Sequence, residues 1–373
     1  MEFRKLGKTG LAVSVIGLGT EHLHGRPRDT VISVVREAIE RGVNYLDLLF
    51  PFPEYRDNLG AALRGCRERV ILAGHLGATL KDGQYCKTRS VKKCETFFLD
   101  LLSRVGTDYV DIVMLHNFNT VKDYDGVMQP KGLMDLARRF QQEGKARFVG
   151  ISAHNIAVAT KAIQSGQIDV LMFPINLTGN AMPGRRELLS LCARQGVGLV
   201  AMKPFAGGKL LQASGTVRMA RYQTGGEALK TRITSRISPA QCLSYVLVQE
   251  GVSTALTGVK DTAELAAVLQ ALEASSAERD FSAIITDFGK YLEGECVYCN
   301  HCLPCPVVID IGQINRLLDA AQQGLSEELR MAYDALPVKA SACTECGACT
   351  ERCPFGVDVI SKMTQTVRLF ESF

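Results

Sequence analysis

Short apolar runs and amphipathic segments alternate along roughly the first 260 residues of the chain. The runs of apolar and β-branched residues predict strands at 13–18, 44–48, 70–73, 109–115, 148–151, 170–173, 198–202 and 254–256. Apolar residues at helical spacing predict helices at 28–41, 59–64, 90–105, 133–143, 157–165, 185–195, 239–249 and 261–274. Strand and helix units of this number and length predict an α/β protein with a closed (β/α)8 TIM barrel.

A doubly wound open sheet is the structural alternative, but no GxGxxG motif opens the first helix. Residues Leu6–Leu11 predict a hairpin that plugs the bottom of the barrel. From about residue 280 the pattern changes, and predicted helices at 314–322 and 325–333 separate two groups of cysteines. We therefore predict a barrel domain over 1–280 and a small ferredoxin-like iron–sulfur domain over 281–373.

Eight of the thirteen cysteines stand in two short motifs near the C-terminus, and each motif ends in Cys-Pro. The first motif consists of Cys296, Cys299, Cys302 and Cys305. The second consists of Cys343, Cys346, Cys349 and Cys353. Four thiolates are the ligands of a [4Fe–4S] cluster, and the second motif has the spacing of bacterial ferredoxins. The first motif is one residue shorter before its last cysteine. Two motifs predict two [4Fe–4S] clusters and single-electron chemistry.

Two other uses of closely spaced cysteines explain the pattern less well. Zinc sites take four ligands and rarely use a third CxxC step followed by proline. Disulfides need an oxidising compartment, and residues 1–25 lack the long apolar core of a signal peptide. In ferredoxins with two clusters, the fourth cysteine of each motif ligates the other cluster. That rule predicts one ligand set of Cys296, Cys299, Cys302 and Cys353, and a second set of Cys343, Cys346, Cys349 and Cys305.

The overall composition is ordinary for a globular protein, at 46% hydrophobic and 22% charged residues. A net charge of +4, spread evenly, gives no basis for nucleic-acid binding. No apolar run approaches the ~20 residues that a membrane span needs. We therefore expect a cytoplasmic protein that binds neither nucleic acid nor a membrane.

Barrels of this class carry their active sites where strands end and helices begin. Five of the six histidines fall at such positions. The candidates are Glu21, His22, His24, Asp47, Phe52, Tyr55, His75, His116, Ser152, His154, Asn155, Asn176 and Lys203. Alternatively, His24 and His154 merely cap the helices that follow them. The grouping predicts a functional site at this rim.

Five segments carry a resemblance to a known family, namely 6–19, 42–47, 109–116, 144–152 and 202–208. In order and spacing they resemble the aldo/keto reductase family. The cysteine motifs resemble the ferredoxin-type extension of one branch of that family. The resemblance implies a (β/α)8 barrel and NADPH-dependent carbonyl reduction by an Asp–Tyr–Lys–His tetrad. In that tetrad Tyr donates the proton, Lys held by Asp lowers the Tyr pKa, and His orients the carbonyl.

Carried over position by position, the resemblance places Asp47 and His116 at the Asp and His positions of the tetrad. The Tyr and Lys positions are occupied by other residues. Phe52 occupies the Tyr position and has no proton to give, and His75 occupies the Lys position. Tyr55, three residues after Phe52, is the replacement donor that the sequence offers.

The cofactor side also departs from the family. Ala267 and Val268 stand where the family has the Glu and Asn that contact adenine. The residues that remain for cofactor binding are Ser152, Asn176, Lys203 and Lys260, the last as a contact for a 2′-phosphate. NADP(H) and a flavin both stay open as cofactors.

The leading hypothesis is an iron–sulfur oxidoreductase whose barrel binds a small organic substrate. Protons would be handled by Asp47, Tyr55, His75 and His116, while two [4Fe–4S] clusters pass electrons singly to or from a ferredoxin- or flavodoxin-type protein. The second hypothesis is a conventional NAD(P)H-dependent carbonyl reductase with a substituted proton donor. The third is an electron-transfer subunit with an inactive barrel.

Overall fold

The computed structural model describes residues 1–211, 215–218, 230–233, 237–285, 296, 298–321, 324–353 and 355–371. The chain divides into two compact units. The first comprises Met1–Phe205 and Ile237–Gly289, and the second comprises Ala206–Arg236 and Lys290–Phe373. The segment that follows the seventh barrel strand therefore groups with the C-terminal unit, although it lies within the span 1–280 predicted as the barrel domain.

The strands are β1 (Phe3–Lys5), β2 (Ala12–Ser14), β3 (Ile16–Gly19), β4 (Tyr45–Leu48), β5 (Ile71–Leu76), β6 (Ala78–Lys81), β7 (Gln84–Lys87), β8 (Val110–Phe118), β9 (Ala146–Ala153), β10 (Val170–Pro174), β11 (Gly198–Met202), β12 (Gly215–Arg218), β13 (Lys230–Ile233) and β14 (Val252–Gly258). The α-helices are α1 (Arg28–Glu40), α2 (Pro53–Leu63), α3 (Val91–Val105), α4 (Val121–Val127), α5 (Leu133–Gln142), α6 (Ile156–Gln164), α7 (Arg185–Gln195), α8 (Pro239–Leu247), α9 (Thr262–Gln270), α10 (Ser276–Arg279), α11 (Ser282–Ile285), α12 (Ile311–Ala321), α13 (Glu327–Asp334), α14 (Ala348–Arg352) and α15 (Val359–Phe370).

Eight parallel strands close into a barrel in the order β3, β4, β5, β8, β9, β10, β11 and β14. Closure is made by β14, which pairs back onto β3. This topology confirms the predicted (β/α)8 barrel and rules out the doubly wound sheet. Parallel strands point their carboxyl ends to one rim, so side chains at those ends share one face of the barrel.

Apolar side chains fill the barrel interior, as the near-continuous apolar strands require. An N-terminal hairpin of β1 and β2 adds Leu6, Leu11 and Val13 to the same core cluster as Met114 and Met172. This packing confirms the predicted hairpin at the bottom of the barrel. The plug leaves the opposite rim, at the carboxyl ends of the strands, to carry the polar groups.

The C-terminal unit has its own apolar core, built mainly from α12, α13 and α15. The first two of these correspond to the helices predicted between the cysteine motifs. In the core, the rings of Tyr333 and Phe370 stack at 4.5 Å. Across the described ranges, no helix combines the length and apolar character needed to cross a membrane.

Candidate functional site

A buried chain of three polar side chains lies at the carboxyl ends of β4, β5 and β8. His75 Nε2 is 2.8 Å from Asp47 Oδ1, and His75 Nδ1 is 3.1 Å from His116 Nδ1. All three residues are buried. His75, which the resemblance places at the Lys position of the tetrad, therefore pairs with Asp47. It does so with an imidazole in place of an ammonium group.

Tyr85 extends this chain at its other end. Its hydroxyl is 2.5 Å from His116 Nε2, and the side chain is buried. The order of hydrogen-bonded groups is Asp47, His75, His116 and Tyr85. Each imidazole uses both ring nitrogen atoms, so a proton can move along the whole chain by changes of tautomer. Tyr85 is absent from the residues predicted from the sequence.

Tyr85 reaches the site from an inserted hairpin of β6 and β7, which precedes α3. Asp82 and Gly83 form its two-residue turn, with φ values of 52° and 76°. Positive φ at both positions is typical of a type I′ turn, for which Asp-Gly is a favoured sequence. Leu80 pairs with Tyr85 across the hairpin. The Asp-Gly pair between alternating residues was the available signal for this hairpin.

Gly77 begins the hairpin with φ of 116°, a value that favours glycine. A Cβ atom there would lie 3.0 Å from Arg89 Nη1 and 3.3 Å from His116 Cβ. The absence of a side chain thus lets the hairpin pass close to both residues. Consequently, the entry to the hairpin lies directly against the catalytic histidine candidate on β8.

Arg89 fastens the end of the hairpin to the end of β8. Its guanidinium donates to the carbonyls of His116 and Asn117, at 2.8 Å each, and forms a two-point ion pair with Asp123 at 2.7 and 2.8 Å. The guanidinium carbon also lies 3.9 Å from the centroid of the Phe118 ring. This clamp determines where the His116 backbone lies relative to the hairpin that carries Tyr85.

Tyr55, the predicted replacement donor, has a different environment. Its buried hydroxyl contacts Thr20 Oγ1, and that hydroxyl also donates to the carbonyl of Asp47 at 2.6 Å. Burial raises the pKa of Tyr55 well above its ordinary value. The structure thus directs the Tyr55 hydroxyl to Thr20, whereas Tyr85 contacts the histidine pair.

Phe52 belongs to an aromatic group on the same rim. Its ring stacks on His24 at 3.9 Å with 7° between the planes, and Phe50 meets Tyr85 edge-on at 5.8 Å. Burial lowers the pKa of His24. These rings provide an apolar wall beside the polar chain, suited to a small organic substrate.

A second polar group surrounds Lys203, just after β11. Its Nζ is 2.7 Å from His154 Nε2, and its backbone adopts φ of 59°. Asn176 Nδ2 donates to the Lys203 carbonyl at 2.9 Å, which helps to hold this uncommon conformation. Burial raises the pKa of Glu21, while the nearby Lys203 opposes that shift. Lys203, Asn176, His154 and Glu21 therefore form one connected set at the rim.

The two remaining predicted cofactor residues, Ser152 and Lys260, differ in burial. Ser152 is buried, accepts a hydrogen bond from the Asn117 amide at 2.9 Å and lies 3.5 Å from His116 Nδ1. Lys260 is exposed and pairs with Glu264 at 2.7 Å. Ser152 therefore joins the polar chain, whereas Lys260 is already next to a carboxylate.

The second cysteine motif lines a cavity in the C-terminal unit. Its walls include Cys343, Cys346 and Cys349, together with Cys305 from the first motif. Arg352 also lines this cavity and donates to the carbonyls of Cys302 and Pro304. The fourth cysteine of the first motif thus accompanies the first three of the second.

The other four cysteines also lie near one another. Burial raises the pKa of the Cys302 thiol well above its ordinary value, and the neighbouring Cys299, Cys296 and Cys353 add to that shift. Burial raises the pKa of Cys296 to about 12. Among the described side chains, no three His, Cys, Asp or Glu residues converge as ligands of a single metal ion would.

The two motifs have matching backbone conformations. The residue before the second cysteine has positive φ in each, at Tyr298 and Glu345, and so does the residue after it, at Asn300 and Gly347. Such left-handed positions allow successive amides to form a concave site for an anionic group, as found around iron–sulfur clusters. Four thiol ligands and this backbone fit a [4Fe–4S] cluster, whose sulfur ligands bind as thiolates.

Comparison with known proteins identifies two family models along the chain. The model of the aldo/keto reductase family matches residues 15–286, and that of the 4Fe-4S dicluster domain matches residues 294–357. The two matches separate at the same part of the chain where the hydrophobic pattern changes.

Among individual proteins, the chain is similar to the uncharacterized oxidoreductase YqkF of Bacillus subtilis (strain 168), with 28% identity over 74% of this chain and 92% of that protein. It is also similar to the NADH-specific methylglyoxal reductase of Escherichia coli (strain K12), with 26% identity over 60% of this chain and 73% of that protein. The solved holo form of the aldo-keto reductase AKR11C1 from Bacillus halodurans superimposes with a TM-score of 0.63 at 24% identity, covering 78% of this chain and 97% of that one. The structural likeness supports the fold of the barrel.

Proposed function

Because this chain belongs to the aldo/keto reductase family and carries a 4Fe-4S dicluster domain, we propose that it is an oxidoreductase that interconverts a carbonyl and an alcohol on a small organic substrate. The substrate would lie in the barrel beside Phe50 and Phe52. Reduction of a carbonyl consumes two electrons and two protons. The chain's own residues would supply the proton to the substrate oxygen.

The observation that carries this proposal is the buried chain from Asp47 through His75 to His116. A buried carboxylate and two imidazoles within hydrogen-bond reach of one another form an acid–base system that can accept a proton at one end and pass it on at the other. Its place at the carboxyl ends of the barrel strands is where catalytic groups of this fold stand. An inactive barrel would have no need of such a buried polar chain, which disfavours the electron-transfer subunit.

We propose that the eight motif cysteines hold two [4Fe–4S] clusters with exchanged fourth ligands. Cys305 would serve the cluster of Cys343, Cys346 and Cys349, whose cavity it lines. Cys353 would serve the cluster of Cys296, Cys299 and Cys302, as the exchange of fourth ligands in two-cluster ferredoxins requires. When bound, the clusters would supply or accept single electrons and connect the protein to a ferredoxin- or flavodoxin-type partner.

A conventional hydride-transfer reaction is the second candidate, and the similarity to an NADH-specific reductase favours it. Lys260 is exposed and pairs with Glu264, so a 2′-phosphate of NADPH would share this lysine with a carboxylate. Such an exposed pair is weak, and both NADH and NADPH stay candidates. A flavin stays the alternative carrier between one- and two-electron chemistry.

Anaerobic purification followed by single-turnover measurements tests the proposal. Iron analysis should give about eight irons per chain. Dithionite-reduced protein mixed with methylglyoxal as the probe should regain the visible absorbance of oxidised clusters, and His116→Ala should slow that recovery by about 10²-fold or more. Arg139→Met, at an exposed helix position, is the control and should behave as the wild type. Nicotinamide-driven reduction of the probe that survives removal of the clusters would instead establish the conventional reductase.

A further inference from the structure

We propose that Tyr85 is the group that gives the proton to the substrate oxygen, and that His75 and Asp47 load it through His116. This inference rests on the proposed function, because it identifies the acid for that reaction. The hairpin of β6 and β7 thereby replaces the phenol missing at Phe52.

Contacts distinguish Tyr85 from the other phenols of the barrel. Among the described residues, Tyr85 is the tyrosine whose hydroxyl contacts His116. Tyr55 contacts Thr20 instead, and Tyr45 belongs to the apolar core of the barrel. A general acid must lie within hydrogen-bond reach of the groups that reprotonate it, and Tyr85 meets that condition at 2.5 Å.

The chain of hydrogen bonds has two proton states. In the neutral state, His75 Nε2–H donates to Asp47, His116 Nδ1–H donates to His75 Nδ1, and the Tyr85 hydroxyl donates to His116 Nε2. In the loaded state, His75 carries protons on both nitrogen atoms and donates to His116 Nδ1. His116 then carries its proton on Nε2 and donates to the Tyr85 oxygen. The Tyr85 hydroxyl hydrogen is directed away from His116 only in the loaded state.

Proton delivery begins from the loaded state and balances in one step. The Tyr85 O–H bond breaks as an O–H bond forms on the substrate oxygen. The His116 Nε2 proton moves to the Tyr85 oxygen, and the His75 Nδ1 proton moves to His116 Nδ1. The hydrogen-bonded groups end in the neutral state, with one proton fewer. A proton from solvent later restores the loaded state. The electrons come from the reductant of the proposed reaction, and no electron is held by these side chains.

The buried carboxylate of Asp47 supports the loaded state. It lies 2.8 Å from His75 Nε2, so the doubly protonated ring of the loaded state keeps a hydrogen bond to a carboxylate oxygen. Among the described residues, other charged groups facing this region include Glu21, whose charge interacts with His75 and Asp47, and Lys203, which lies near Glu21. Arg89 also faces it, since its guanidinium donates to the His116 carbonyl. His75 thus takes the place of the tetrad's cationic Lys, but it acts through His116 rather than directly on the phenol.

Infrared difference spectroscopy on the holoprotein, with ring-labelled tyrosine, tests the two proton states without any substrate. The phenol C–O stretch reports whether a hydroxyl donates or accepts a hydrogen bond. Lowering the pH should shift one tyrosine band from donor to acceptor. The shift should vanish in Tyr85→Phe and in His75→Gln, and should persist in Tyr124→Phe, which alters a buried tyrosine on α4. His75→Gln leaves Tyr85 in place, so it keeps the test valid if Tyr85→Phe does not fold.

Single turnover with methylglyoxal tests the proton transfer itself. Tyr85→Phe should lower the reduction rate about 10²–10⁴-fold, the usual contribution of a general acid, with little change in the probe concentration at half-maximal rate. The wild-type rate should fall with rising pH, because the loaded state loses its proton, and this dependence should disappear in His75→Gln. Tyr55→Phe tests the competing donor.

The outcomes separate this inference from the proposed function. A Tyr85→Phe protein that reduces the probe at the wild-type rate would refute the role of Tyr85 while leaving the oxidoreductase intact. Loss of turnover in Tyr55→Phe, but not in Tyr85→Phe, would assign the proton to Tyr55. Failure of the wild type to turn over the probe, with the infrared shift present, would count against the reaction and for the proton relay.

Discussion

Removal of the Arg89 guanidinium is the change from which we expect the largest effect outside the relay itself. Arg89→Met keeps an unbranched apolar side chain at this position but removes the guanidinium, and with it the contact with the Phe118 ring. Four hydrogen bonds are lost, namely those to the carbonyls of His116 and Asn117 and the two to Asp123. The His116 carbonyl then loses this donor, while the Asn117 carbonyl and the Asp123 carboxylate keep only the longer contacts with Lys87 Nζ, at 3.4 and 3.5 Å.

The magnitude follows from the burial of these groups. Breaking a fully buried ion pair by removing one partner costs about 3–5 kcal/mol. The side chains of Arg89 and Asp123 are 22% and 24% exposed, so solvent reaches both and reduces the cost. Discounting for that exposure, we expect a loss of about 2–4 kcal/mol in the free energy of unfolding. For a unit of this size, the melting temperature should fall by roughly 5–10 °C.

Thermal unfolding of anaerobically purified protein, followed by far-ultraviolet circular dichroism, measures this loss. Arg139→Met is the matched control, because Arg139 is 45% exposed and pairs with Glu95 and Glu143 at the surface. Exposed pairs contribute about 1 kcal/mol or less, so the control should shift the melting temperature by about 2 °C or less. If the Arg89 and Arg139 variants melt at the same temperature, Arg89 does not fasten the hairpin to β8.

Three further predictions concern other parts of the molecule. Burial by itself would raise the pKa of Asp123, but Arg89 holds this pKa below its ordinary value. The wild type should therefore be more stable than Asp123→Asn above about pH 4, and this advantage should disappear as pH falls through the folded-state pKa. Melting temperatures measured across an acid titration check this. Arg352→Ala removes the charged hydrogen bonds to the carbonyl of Cys302. Iron release to a chelator should then be about tenfold faster than in the wild type. Equal release rates would exclude a role for this contact. Asn176→Ala removes the hydrogen bond to the Lys203 carbonyl and should lower the free energy of unfolding by about 1 kcal/mol, as measured by denaturant titration against a wild-type control.

The alternation of strands and helices was sufficient to predict the barrel, because each predicted strand corresponds to an observed one. The same alternation also located Asp47, His75 and His116. Strands of a closed parallel barrel end at a single rim, so topology alone brings their terminal residues together. The spacing of the cysteines likewise predicted the exchange of Cys305 and Cys353 between the two sets, and the observed cavity agrees with the proposed set around Cys305.

The positions of side chains on the inserted β6–β7 hairpin could not be predicted from the alternation of strands and helices. The order of the barrel strands does not constrain where the side chains of the β6–β7 hairpin lie, since the hairpin pairs with itself rather than with the barrel sheet. The position of Tyr85 depends on the Asp82-Gly83 turn, on the missing side chain at Gly77 and on the Arg89 clamp. Counting along the chain pointed instead to Tyr55, because Tyr55 lies nearest in sequence to the lost phenol at Phe52.

The sequence by itself therefore determined the barrel and the cysteine motifs, because local periodicity and fixed ligand spacing express these features directly. The family resemblance further predicted the loss of Tyr and Lys at Phe52 and His75. The Lys260–Glu264 pair has i,i+4 spacing and is equally local. Only the tertiary structure decided which phenol meets the histidine pair. Such contacts join residues through side-chain packing and loop conformation, and no periodicity along the chain encodes them. The replacement that we propose for the missing phenol, Tyr85, therefore lies near His116 in space and not beside Phe52 in the sequence.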